Sequence, residues 1–141
     1  MVDASKIADF LDEIYVDLRV IRDVVSVSRN GFLGDLKGRF ALRYAIVDVV
    51  GNATLIGLQI LEEDFNIKPE TYEEVFDMLA DLNVISSNVC NGMNKLVELR
   101  NIIVHLCLDI DDSKVYKVVK EDGLEAIKRF VEEVRNYIGE K

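Results

Sequence analysis

The chain has 141 residues, half of them apolar and 30% charged, enough for one domain with a hydrophobic core and too apolar for a disordered chain. A formal net charge of −9 argues against a broad basic surface for polynucleotides, so a nucleic acid would have to meet a local cluster of positive charge. The acidic remainder suits a basic partner equally well. A single proline and few turn clusters favour long helices over many short strands. The two cysteines, Cys90 and Cys107, form no CxxC pair. This argues against a zinc site or a redox dithiol and for reduced thiols in a cytosolic protein, and no metal or other cofactor is expected. The start, Met1-Val2-Asp3-Ala4-Ser5-Lys6, lacks the basic and apolar regions of a signal peptide.

The first helix is expected from Asp3 or Ser5 to about Val27. Ile7, Leu11, Ile14, Leu18, Ile21 and Val25 form a heptad-like seam along it. Val16, Val20, Val24 and Val27 add a second stripe, which predicts burial on more than one side. Ser28-Arg29-Asn30-Gly31 reads as a stop and loop.

A second helix is expected from Asp35 to about Glu63, with Leu36, Phe40, Tyr44, Val47, Gly51, Leu55 and Leu58 at helical spacing. Its most apolar run, Tyr44 to Leu61, is interrupted by Asp48, Asn52 and Gln59. A charge near the middle of a membrane span costs at least roughly 2.5–3.5 kcal/mol, so this reads as a buried helix of a protein with no membrane partner. Asp48 and Asn52 lie four apart on one face. They are either an internal hydrogen bond or a polar pair facing the functional helix described below.

Pro69 is expected in the first turn of a third helix carrying Tyr72, Val75, Phe76 and Leu79 and ending near Leu82. A fourth runs from about Asn88 to Leu106, with Ser86 or Ser87 as cap. The fifth covers about Lys114 to Tyr137, with Val115, Val119, Ile127, Val131, Val134 and Ile138 on its apolar face and Gly123 as a weak point. The expected architecture is an all-α, up-down bundle of about five helices forming a single domain over residues 1–141.

The fourth helix carries the chemistry. His105 is the only histidine, and it follows Arg100 by five residues in Leu99-Arg100-Asn101-Ile102-Ile103-Val104-His105. Arginine is a permanent cation with a planar fork of donors, and histidine exchanges protons near neutral pH. Together they fit in-line attack on a phosphodiester, with His105 accepting a ribose 2′-hydroxyl proton, Arg100 neutralising the five-coordinate phosphorane and Asn101 orienting the imidazole or a phosphate oxygen. At 100° per residue, Asn101 and His105 share a face, whereas Arg100 and His105 stand about 140° apart. A two-fold dimer removes that difficulty by lining one groove with two such helices. The same residues would also serve as a capping and salt-bridge set with Glu98 or Asp109 as partners.

The longer pattern resembles the HEPN-domain proteins, specifically the HepT-like toxin family with its R-x4-H motif. Pro69-Glu70-Thr71-Tyr72-Glu73-Glu74-Val75-Phe76-Asp77-Met78-Leu79 is similar to that family's P-x-x-Y-x-E-x-F-x-x-L helix. Asp48 with Asn52 resembles its polar pair in the second helix, and Ile110-Asp111-Asp112-Ser113-Lys114-Val115-Tyr116 resembles the segment after its histidine. The similarity runs from the first helix to about Val134. It implies a homodimeric HEPN-like bundle and a metal-independent, cytoplasmic endoribonuclease toxin acting on RNA, with Arg100 and His105 catalytic and Asn101 supporting. It also implies a minimal nucleotidyltransferase antitoxin of the MntA type as partner, in a dimer or a larger complex. The family motif continues as R-x4-H-x-Y, whose tyrosine receives AMP from the antitoxin. Here that position is Cys107, so cleavage carries over while AMP transfer at that position does not. The alternative is a non-catalytic subunit that binds a nucleotide or the nucleotidyltransferase.

Overall fold

Asp3 opens the first helix. Its carboxylate accepts the backbone N–H groups of Ser5 and Lys6 at 3.0 and 3.4 Å, satisfying donors that a helix start leaves without partners. The computed structural model describes residues 1–105 and 109–139, and all the regular structure among them is helical. In α1 (Ala4–Val25) the expected seam of Ile7, Leu11, Ile14, Leu18, Ile21 and Val25 is buried. The expected second stripe is not. Val16 and Val27 are about half exposed and Val20 and Val24 only partly covered, so α1 is buried along one side.

The expected loop after α1 holds a short helix, α2 (Arg29–Leu33), capped by the Ser28 hydroxyl and anchored by buried Phe32, whose ring lies 5.2 Å from that of Tyr116. Five residues are too few for periodicity to reveal. The long helix α3 (Leu36–Phe65) follows and ends at Asn66, which adopts the left-handed conformation (φ 54°) that asparagine tolerates.

The face of α3 that meets the core differs from the expected one. Leu42, Ile46, Val49, Ala53, Ile56 and Ile60 are buried, while Leu36, Phe40, Tyr44 and Leu55 are between 45% and 70% exposed. A helix apolar on nearly every side shows a period along several stripes, and only its neighbours decide which stripe is covered. Among the described helices, α3 is the one long and apolar enough to cross a membrane, but 56% of its most apolar window is buried inside the bundle.

The third expected helix begins later than expected, as α4 (Tyr72–Asp81). Pro69 lies outside it because a capping box sets the start: Glu74 N–H donates to the Thr71 hydroxyl at 3.2 Å while Thr71 N–H donates to the Glu74 carboxylate at 3.3 Å. Gly57 of α3 lets α4 approach closely, since a Cβ there would collide with Val75 Cγ1. α5 (Ser87–His105) is capped by Ser86, whose hydroxyl accepts from Val89 N–H.

The last expected helix is α6 (Asp112–Val118), a π turn (Val119–Gly123) and α7 (Leu124–Tyr137) joined end to end. The expected weak point, Gly123, closes that π turn, where a Cβ would meet Leu96 at 2.8 Å. Asp112 fixes α6 to α3, accepting from Arg43 Nε at 2.9 Å and from Arg39 Nη1 at 3.4 Å. The Phe76 and Phe130 rings meet edge to face, 5.9 Å apart, where α4 and α7 share the core.

Candidate active site

α5 is buried at Met93, Leu96, Val97 and Leu99, and its C-terminal end then emerges from the bundle. Arg100 and Asn101 fall at the margin, half-buried, and His105 is exposed at the last position of the helix. His105 thus stands one turn beyond Asn101, roughly 6 Å along the axis at 1.5 Å per residue.

Arg100 is held by neutral groups. Its Nη1 donates to Asn101 Oδ1 at 3.2 Å, and its guanidinium lies 4.8 Å from the centroid of the Tyr72 ring on α4. Among the described residues no ion pair involves Arg100, so neither Glu98 nor Asp109 neutralises it. A guanidinium stacked on an aromatic face keeps its charge and its remaining donors available to an anion.

Of the two readings of the Asp48–Asn52 pair, the structure shows the internal hydrogen bond. Asn52 Nδ2 donates to the Asp48 carbonyl at 3.0 Å and to its carboxylate at 3.3 Å. Asp48 also faces Asp17 of α1, a carboxyl that sequence reading missed because it interrupts the apolar seam from one residue away. Asp17 is 6% exposed and its Oδ2 has no donor. Burial, then the neighbouring Asp48 carboxylate and finally Glu13, push Asp17 up to about 8 from its ordinary 3.8. Cys107, at the family's tyrosine position, lies outside the described residues. The other cysteine, Cys90, donates to Asp77 Oδ1 at 3.3 Å, and burial holds its thiol up at about 12, which keeps it protonated and a poor nucleophile.

Beside Arg100 a cavity of about 560 Å³ opens between α3, the Pro69–Val75 stretch and α5. Thr54, Leu58, Tyr72, Val75, Val97 and Asn101 contribute to its wall. Thr54 and Tyr72 are the site residues that periodicity did not single out. Tyr72 reads as one more apolar position of a helix, and Thr54 carries no periodic or charge signal that would mark it in the run from Tyr44 to Leu61.

A family profile described as "Ribonuclease HepT-like" matches residues 14–134. The chain belongs to the HepT-like ribonuclease family. No curated protein matches it significantly. Among solved structures, the fold is similar to YutE, a cytosolic protein of unknown function from Bacillus subtilis, with a TM-score of 0.84 at 21% identity over 97% of this chain and 91% of that one. It is also similar to the tri-AMPylated HEPN toxin of Shewanella oneidensis, solved in complex with its MNT antitoxin, with a TM-score of 0.82 at 22% identity over 92% and 96% of the two chains. A toxin–antitoxin structure with AMP-PNP gives 0.79 at 22% identity over 91% and 96%. At these identities the likeness is one of fold, and the HepT-like bundle accounts for the helix order from α1 to α7.

Proposed function

We propose that the chain is the ribonuclease toxin of a toxin–antitoxin pair, cleaving RNA in the cytoplasm without a metal ion. The observation that carries this reading is Arg100, a half-buried cation fixed by an amide and an aromatic ring with no carboxylate partner among the described residues, in a protein of net charge −9. Such a site is selective for an anion. His105, exposed one turn away, supplies the proton carrier that a phosphodiester requires.

In the proposed reaction neutral His105 takes the proton of a ribose 2′-hydroxyl. The 2′-oxygen then forms a bond to phosphorus while the bond to the 5′-oxygen breaks. The leaving oxygen receives a proton from an imidazolium, so the products are a 2′,3′-cyclic phosphate and a 5′-hydroxyl. Arg100 stabilises the negative charge that builds on the phosphorane, and Asn101 holds the guanidinium in place. The 140° between Arg100 and His105 around α5 fits a groove built by two copies. The exposed stripe of α3 is the apolar surface such a copy would cover.

The partner in this reading is a minimal nucleotidyltransferase antitoxin, as in the Shewanella complex, and Cys107 in place of the tyrosine points to neutralisation by binding rather than by AMP transfer at that position. The test is cleavage of single-stranded RNA in EDTA, with cyclic phosphate ends identified on the products. His105→Ala and Arg100→Ala are each expected to lose about 10²–10⁴-fold in rate. Wild-type rates in the His105→Ala protein would overturn the proposal. The cavity beside Asn101 favours a second reading, a non-catalytic nucleotide-binding subunit, which predicts tight nucleotide binding with no cleavage at any enzyme concentration.

A further inference from the structure

We propose that the cavity between α3, α4 and α5 is a nucleobase subsite, seating the base next to the phosphate at Arg100 and preferring bases with an exocyclic amine. This rests on the reading of Arg100 as the phosphate clamp. The first observation is Thr54. It is 2% exposed, it contributes to the cavity wall, and its hydroxyl has no hydrogen-bond partner. A helical threonine ordinarily satisfies its hydroxyl on the carbonyl one turn earlier. A buried hydroxyl left unpaired is unfavourable, and valine would fill the same space without that cost. The oxygen is covered while the residue reaches the cavity wall, so a rotation about the Thr54 Cα–Cβ bond is what would bring the hydroxyl to a ligand seated there.

The second observation is Tyr72, another residue of the cavity wall. The Tyr72 ring and the Arg100 guanidinium are already stacked, and a planar ligand extends such a stack, as single-stranded bases do on aromatic and guanidinium planes. Leu58, Val75 and Val97 give the remaining apolar surface. The volume of about 560 Å³ falls within the roughly 300–1,000 Å³ of small-molecule sites.

Charge decides the orientation and the preference. Glu70 and Glu73 border the cavity and disfavour a phosphate in it, while their carboxylates accept from the exocyclic amino group of adenine, cytosine or guanine and repel the carbonyl oxygen that uracil presents at that position. Asn101 belongs to both places, bonding Arg100 and lining the cavity, so a base in the cavity and a phosphate at Arg100 stand as neighbours on one nucleotide chain.

The test uses the full-length His105→Ala protein, titrated with AMP, CMP, UMP and ribose 5-phosphate and with single-stranded RNA hexamers of matching base, followed by NMR shifts of threonine methyl and tyrosine ring signals. AMP and CMP are expected to bind about tenfold tighter than UMP or ribose 5-phosphate, the scale of one net hydrogen bond. Glu70→Gln with Glu73→Gln in the same background is expected to lose most of that discrimination, because an amide both donates and accepts, while Thr54→Val is expected to raise the melting temperature and weaken the base-bearing ligands. Tyr72→Leu is expected to weaken every base-bearing ligand alike. Equal binding of AMP and ribose 5-phosphate overturns the subsite, as does unchanged discrimination in the Glu70→Gln/Glu73→Gln protein. The same preference in the hexamers assigns the base to RNA, and discrimination confined to free nucleotides overturns that assignment. Base discrimination without wild-type cleavage removes the nuclease reading and keeps the subsite. Cleavage without base discrimination does the reverse.

Discussion

Asp17 is the residue whose ionisation most affects the bundle. It lies almost fully buried on α1, facing the Asp48 carboxylate that Asn52 also holds, with Glu13 one turn away on its own helix. Two ionised carboxylates cannot bond each other, whereas one proton between them makes a donor. The folded chain therefore keeps the Asp17 proton up to about pH 8, and the unfolded chain releases it near 3.8. Across that window the native state binds more protons, so stability falls as pH rises through it, and the penalty is complete above the folded value. Asp17→Asn supplies a permanent donor without a charge. Its melting temperature should exceed that of wild type by a margin that widens between about pH 4 and pH 8, reaching several degrees. Thermal melts of the two proteins across this range check it, and a margin independent of pH would show that Asp17 ionises as freely folded as unfolded.

At the scale of elements, α6 depends on one carboxylate. Asp112 is buried and receives both Arg39 and Arg43 from α3, and the Arg43 guanidinium is held in its charged form by that bond. Tyr116 and Lys120 add hydrogen bonds of 2.7 Å each to the carbonyls of Val27 and Val25 at the end of α1. The stretch from α6 into the π turn is thereby fixed to two helices, seven residues after His105. Removing one member of a buried ion pair leaves the others charged and unpaired, at roughly 3–5 kcal/mol where all are dry. The two arginines are 20–29% exposed in their side chains, so Asp112→Ala should cost less, about 2–3 kcal/mol. Urea denaturation should show the loss as a lower midpoint with an unchanged slope.

For the whole molecule, the exposed stripe of α3 is the feature the single chain leaves unexplained. Leu36, Phe40, Tyr44 and Leu55 lie along one line of the helix, with Gly51 among them, where a Cβ would meet no atom within 4 Å. Contiguous apolar surface of this kind marks an association site. The proposed groove between two α5 helices needs a second copy, and this stripe is the surface we assign to that contact. Light scattering should find two chains for the wild type. Tyr44→Glu, which places a charge in the middle of the stripe, should weaken association by more than about tenfold while leaving helical content unchanged, and RNA cleavage should fall with it. A wild-type protein that cleaves RNA as a monomer would show the site to be complete in one chain.

What the sequence by itself determined is local. The start of α1 at Asp3, the cap of α5 at Ser86, the heptad-like seam of α1 and the spacing of Arg100, Asn101 and His105 on one helix all involve residues within about a turn or two of each other, so they are legible without neighbours. Capping also corrected the sequence reading where two local signals competed, as at Thr71 and Pro69. Only the tertiary structure decided which stripe of α3 is covered, that Asp17 faces Asp48, and that Tyr72 rather than a carboxylate holds Arg100 beside a cavity. Each of those depends on how two helices far apart in sequence are set against each other. An apolar period identifies the stripes of a helix, but the packing of its neighbours selects the one that is buried.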